Sequence, residues 1–183
     1  APRRVAAVSL GAAHSAVVTT GGEVWCWGEA DKLGLPSGRS LSQVSTVRCP
    51  ARVTALRSSR ITLVGVGASS TLAAGGGCVW SWGVAPGATL PTAPRLLARF
   101  DTAVEMLACG ALHSLILLRG GRVLSVGDGS RGQLGLGKEM AAAEAPAEVT
   151  LPQRATAVAA GGSHSVALTA DGRAVLGYSW GDN

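Results

Sequence analysis

Lysine, aromatic rings other than indole and closely spaced cysteines are all scarce in this sequence, and between Asp31 and Asp101 there is no acidic residue at all. Each shortage excludes something. The four cysteines, Cys26, Cys49, Cys78 and Cys109, form no C-x-x-C pair and no local cluster with histidine. That spacing argues against a zinc site or a disulfide framework and leaves reduced, buried thiols as the expectation. No charge-free apolar run approaches the roughly 20 residues of a membrane-spanning helix. Ala1-Pro2-Arg3-Arg4 leads into a strand-like segment and not into the apolar core of a signal peptide. A soluble, intracellular protein is therefore expected, and the missing initiator Met points to residues upstream.

The acid-free stretch contains Lys32, Arg39, Arg48, Arg52, Arg57, Arg60, Arg95 and Arg99, so the net charge of +5 belongs to one region while the remainder is net acidic. Only Lys32 and Lys138 are lysines. Arginine binds carboxylates and phosphates bidentately, which makes Arg39, Arg48, Arg52, Arg57 and Arg60 the candidate partner-binding residues. The partner would be an acidic protein surface or the phosphates of RNA or DNA, and binding would weaken steeply with salt. The plainer alternative is a set of solvated loops in an arginine-rich chain.

What the chain does have is one phrase written four times. Gly11-Ala12-Ala13-His14-Ser15 is followed by an apolar stretch, Gly21-Gly22 and Val24-Trp25-Cys26-Trp27-Gly28. The phrase returns as Gly110-Ala111-Leu112-His113-Ser114 with Gly120-Gly121 and Val123-Leu124-Ser125-Val126-Gly127, and as Gly161-Gly162-Ser163-His164-Ser165 with Asp171-Gly172. A worn copy runs from Gly67-Ala68-Ser69-Ser70-Thr71 to Gly76-Gly77 and Val79-Trp80-Ser81-Trp82-Gly83. All five tryptophans fall just before the terminal Gly of a copy. A period of roughly fifty residues built from short apolar runs and Gly turns means repeated units of antiparallel strands, about three before each loop. The recurrent glycines serve positive φ or close backbone approach, and replacing one that needs left-handed geometry is expected to cost about 1–2 kcal/mol.

Two local patterns invite other readings. Gly127, Gly129 and Gly132 make a G-x-G-x-x-G after a strand, but a dinucleotide site needs a helix opening at the third Gly, and Gln133-Leu134-Gly135 continues the loop instead. A structural turn is expected, with no cofactor and no metal. Lys138 to Ala145 has helix-forming composition, and Pro146 limits it to a helical turn in a surface loop.

The combined phrase resembles the repeat of the regulator of chromosome condensation family: an apolar strand ending in Gly-x-x-His-Ser, another strand, a Gly turn, an aromatic strand ending in Trp-Gly, then Gly-Gln-Leu-Gly. The resemblance covers Val5 to Asn183 apart from connecting loops. It implies an all-β fold, a β-propeller of which about three and a half of seven blades are present, with copies near residues 5–50, 51–100, 101–150 and 151–183. Neighbouring blades bury the faces that one blade cannot bury alone. Departures are concentrated in the second copy, which has Ser70 for His and Val84-Ala85-Pro86-Gly87 for the loop, and is expected to be the weakest blade. The first copy has Lys32-Leu33-Gly34-Leu35 there. The fourth is longer between Gly172 and Gly181, with Gly177 inside a strand, so a bulge or register change is expected there. The sequence stops at Asn183, where that copy's loop would begin; a ring would then be completed by further chain or by a partner.

His14, His113 and His164 each occupy the same repeat slot, which argues for hydrogen bonding within the blade and against catalysis, and no nucleophile, base and acid are grouped. The Trp pairs 25/27 and 80/82 alternate along a strand and should pack between blades. Two functions follow. The first is a non-catalytic scaffold, a subunit of a larger assembly that docks other proteins or nucleic acid through the arginines. The second, implied by the resemblance alone, is guanine-nucleotide exchange on a small GTPase or chromatin binding. The intervals between copies leave no room for a large inserted wedge.

Overall fold

Short apolar runs separated by two-residue Gly turns can pair only as antiparallel hairpins, because a parallel crossover needs a dozen or more residues. In the computed structural model, which describes residues 4–35, 45–84, 92–137, 140–170 and 175–182, they form four such sheets. The first holds β1 (Val5–Leu10), β2 (His14–Thr19), β3 (Val24–Glu29) and β4 (Thr46–Arg52). The second holds β5 (Leu63–Val66), β6 (Ser70–Gly75), β7 (Cys78–Gly83) and β8 (Thr92–Arg99), and the third β9 (Val104–Cys109), β10 (His113–Leu118), β11 (Val123–Asp128) and β12 (Ala142–Val149). Three strands, β13 (Ala155–Ala160), β14 (His164–Ala170) and β15 (Val175–Gly181), make the fourth. Strand order within each sheet is sequence order, and β1, β5, β9 and β13 pack side by side, so the sheets stand radially as blades on an arc.

Each junction between blades has its own core, because alternate residues of a strand face opposite neighbours. Ala16, Val18, Val24 and Cys26 of blade one meet Val64, Val66, Ala73 and Trp82 of blade two. Blades two and three join through Leu72, Ala74 and Val79 against Ile116, Leu118 and Leu124, and blades three and four through Leu115, Leu117 and Val123 against Val158 and Ala167. Leu115 to Leu118 show no alternation because β10 is covered on both sides and all four are fully buried. At about 1.5–3 kcal/mol per buried aliphatic side chain, this strand is the best-anchored part of the arc.

The first Gly of the phrase marks the tightest approach. A Cβ on Gly11 would strike the carbonyl oxygen of Gly67, one on Gly67 that of Gly110, and one on Gly110 that of Gly161. The inner corners of successive blades thus meet backbone to backbone, with Ala68 N donating to Gly110 O (3.2 Å) and Ala111 N to Gly162 O (3.2 Å).

Three expectations are corrected. Residues 142–149 are an outer strand and not part of a helical turn, and Pro146 lies where the register with β11 shifts between Ser125 and Gly127. An edge strand bonds on one side only, so a Pro at a bulge removes no ladder bond. No bulge falls at Gly177: β14 pairs with β15 without a break from His164↔Gly181 to Ala170↔Val175, and the register irregularity of this blade lies instead between β13 and β14, at Ala155 to Ala157. Among the thiols Cys26 is buried, Cys78 and Cys109 are half-buried, and Cys49 is exposed on β4. Burial pushes the Cys26 thiol up to about 12 and that of Cys109 to about 11, so both remain protonated thiols. The second blade, for all its departures, keeps four strands.

Candidate functional site

Antiparallel meanders send all turns of one kind to the same end of every blade. One end carries the Gly-x-x-His corners and the loops after each Trp-Gly. The other carries the Gly-Gly turns and the links from each outer strand to the next inner strand. The sequence-predicted arginines divide between these ends. Arg57 and Arg60, both exposed, lie in the link from β4 to β5 at the Gly-Gly end, where the Arg60 backbone packs against Gly22 and Gly75. Arg48 is exposed but sits near the start of β4, toward the opposite end. Arg52 is half-buried and ion-paired to Glu23 at 3.0 Å. Arg39 lies outside the described residues.

Two further arginines join Arg57 and Arg60. Arg4 precedes β1, its carbonyl accepting from Thr20 N at 2.8 Å, and Arg99 ends β8 opposite Cys78, next to the bond from Phe100 N to Gly77 O. Arg4, Arg57, Arg60 and Arg99 are all exposed, and none has an ion pair among the described residues. Along the arc the same end is neutralised: Arg119 meets Glu105 at 3.5 Å, and Arg122 meets Glu148 at 2.8 Å and holds its carboxyl below the usual range. Arg154, farther along this end, is exposed without an ion pair among the described residues and donates to Gly120 O, so the unpaired guanidiniums cluster on blades one and two, with one more beyond them. Arg4 and Arg99 could have been found by laying the copies in register, since each is placed by a Gly-Gly turn.

The histidines have a different task. His14 Nε2 bonds Thr71 Oγ1 at 2.7 Å and His113 Nε2 bonds Ser165 Oγ at 2.8 Å, so each links one blade to the next and not, as expected, residues within a blade. Ser165 donates its proton to Gln133 O (2.8 Å), so it must accept from His113, which places that imidazole's hydrogen on Nε2. Burial above all, with Lys32 adding to it, lowers His14 to about 4, and burial lowers His113 in the same direction. At neutral pH both are uncharged.

The loop after Gly127 completes this junction. Gln133 Nε2 donates to Asp128 Oδ2 (2.7 Å), Arg131 N donates to Gln133 Oε1 (2.8 Å), and Trp180 Nε1 donates to Gln133 O (2.8 Å). The G-x-G-x-x-G is thus a turn, with Gly127 and Gly132 at positive φ, clasping the Trp of the next blade. Trp80 and Trp82 pack toward blade one in the same way, whereas Trp25 and Trp27 are half-buried on the face of blade one turned away from blade two.

Two models of the "Regulator of chromosome condensation (RCC1) repeat" match the chain, one over residues 21–74 and 120–168, the other over 5–32 and 155–183. The chain belongs to the regulator of chromosome condensation repeat family. Within that family it is 29% identical over 193 residues to the mitochondrial RCC1 domain-containing protein RUG3 of Arabidopsis thaliana, covering 98% of this chain and 42% of the relative. It is 32% identical to the ultraviolet-B receptor UVR8 of the same plant, again over 98% of this chain and 42% of the relative. Among solved structures it is similar to yeast RCC1 (Prp20), seen bound to Kap60, with a TM-score of 0.78, 24% identity, and 99% of this chain against 44% of that one. The RCC1-repeat chain is thus a β-propeller arc of about three and a half blades, spanning less than half the length of these relatives. No helix among the described residues is long and apolar enough to cross a membrane.

Proposed function

We propose that this RCC1-repeat chain is part of a non-catalytic scaffold that docks an acidic protein surface on the Gly-Gly end of blades one and two. The observation that carries the reading is the group of exposed, unpaired guanidiniums of Arg4, Arg57, Arg60 and Arg99 around two successive turns. A single exposed ion pair is worth about 0.2–1 kcal/mol, so several must act together for specific docking. Desolvated bidentate contacts to carboxylates strengthen each of them.

The triple variant Arg57→Glu, Arg60→Glu, Arg99→Glu is expected to weaken capture of the natural partner at least tenfold at low salt and to flatten its salt dependence. Arg48→Glu, toward the other end, should have a small effect. Calorimetric titration across a salt series checks this, and undiminished binding by the triple variant would overturn the reading. The same titration with RNA and with duplex DNA distinguishes phosphates from carboxylates.

Exchange on a GTPase is the second reading. It is supported by the 38% identity over 82 residues to the human X-linked retinitis pigmentosa GTPase regulator, and by the likeness to Prp20p, studied for binding to Gsp1p and histones. Short connections between blades argue against a nucleotide-displacing wedge in this stretch, so the chain alone is expected not to accelerate nucleotide release from a panel of small GTPases.

A further inference from the structure

The junction of blades three and four is filled by three things: the His113 imidazole, the Trp180 indole and the Gln133-Leu134 loop, tied together through Ser165 and Gln133 O. At the junction of blades two and three the corresponding positions read differently. The His slot is Ser70, the Trp slot is Val126, and the residues after Gly83 are Val84-Ala85-Pro86-Gly87 in place of Gly-Gln-Leu-Gly. Register fixes the correspondence: Ser70 lies opposite Gly83 as His113 lies opposite Gly127, and Val126 lies opposite Ser114 as Trp180 lies opposite Ser165. Two substitutions that each remove volume, Ser70 for His and Val126 for Trp, therefore converge on one place.

The blades do not close over the loss. A cavity of about 480 Å³ remains there, reached by Ser70 and Leu72 from blade two and by Ser114 and Val126 from blade three. Apolar side chains dominate its wall, and the outer strands place Arg95 of β8 and Glu144 of β12, both exposed, against it. Among the described residues Ser70 Oγ and Ser81 Oγ have no hydrogen-bond partner, and Arg95 and Glu144 have no ion pair. The volume falls in the 300–1,000 Å³ range of small-molecule sites, and the mixture of an apolar wall with a few convergent polar groups is their usual chemistry. An apolar cavity left by a missing ring takes up a free ring of matching shape.

We propose that the gap between blades two and three is a binding site for a small planar aromatic compound with a ring N–H. Its ring takes the place that Trp180 and His113 fill at the next junction, its N–H donates to the Ser70 hydroxyl, and a charged tail on such a compound would meet Arg95 or Glu144 at the mouth.

The test uses free indole as the probe on the intact protein, with saturation-transfer NMR for contact and thermal unfolding for linkage. Indole is expected to show saturation transfer at millimolar concentration and to raise the melting temperature. Val126→Trp, which supplies the missing ring, should weaken indole binding at least tenfold without lowering the melting temperature of the free protein. Ala142→Phe narrows the mouth from an exposed position and should also weaken binding; it decides the matter if Val126→Trp does not fold. Absence of transfer to the unmodified protein, or equal transfer to folded Val126→Trp or Ala142→Phe, overturns the proposal.

Discussion

Gly67→Ala is expected to destabilise the arc by about 3 kcal/mol, the upper end of what overpacking a tight contact costs. For a chain of this length that is roughly a 6–12 °C fall in melting temperature. The reason is contact and not backbone conformation, because Gly67 is absent from the residues at positive φ. Its Cβ would run into the carbonyl oxygen of Gly110 and lie 3.3 Å from Cys109 Cβ, and Gly67 O itself is pressed against Gly11. These are backbone atoms held by their own ladders, so the inner corners of blades two and three must separate, weakening the Ala68 N to Gly110 O bond. Gly76→Ala is the control. Gly76 has φ 58° with nothing near its missing Cβ, so the change should cost only the left-handed penalty of about 1–2 kcal/mol. Urea unfolding of both variants separates the two mechanisms; equal losses would show that close approach at Gly67 is unimportant.

That contrast indicates what was legible in the sequence. Glycine recurrence announced both uses of Gly, but a sequence cannot say which Gly serves which, because close approach depends on the neighbouring blade. The inner three strands of each blade were readable from His-Ser, the Gly-Gly turn and Trp-Gly. The outer strands were not. β4, β8 and β12 carry Pro50, Pro94 and Pro146 and mostly exposed side chains, and they gain strand geometry only by pairing with β3, β7 and β11. Tertiary pairing there overrides local preference, which is how helix-forming residues around Ala142 came to be strand. The arginine candidates were found by charge and missed by position. An acid-free stretch of sequence is one-dimensional, whereas the meander sends Arg48 and Arg57 toward opposite ends of a blade, pairs Arg52 with Glu23, and brings in Arg4 from before the stretch. The cavity was half-legible: Ser70 was visible as a loss, but only the register shows that it and Val126 empty the same space.

Mild acid is expected to loosen the blades through the buried histidines. His14 is 3% exposed and bonded across the first junction to Thr71, and burial holds its pKa at about 4 against 6.5 in the unfolded chain. Above pH 6.5 both states are neutral and the difference has no effect. Between 6.5 and 4 the unfolded chain takes up a proton that the folded chain refuses, so stability falls as pH falls, by about 3 kcal/mol when pH 4 is reached. Asp31 and Glu29 act the other way on His14, but burial outweighs them. His113 adds a loss of the same sign, since burial also lowers its pKa and its Nε2 is already committed to Ser165. Protonating its Nδ1, which has no hydrogen-bond partner among the described residues, would place an unpaired charge inside the junction of blades three and four. His14→Gln keeps an N–H donor for Thr71 and cannot be protonated. It should cost about 1–2 kcal/mol at pH 7 through imperfect replacement of a buried hydrogen bond. The slope of stability against pH from 6.5 to 4 should nevertheless become distinctly shallower than that of the unmodified chain. Denaturant titrations at several pH values measure both slopes, and carboxylates elsewhere contribute equally to each, so the difference isolates His14. Identical slopes would show that the clasp between blades one and two is not what acid opens.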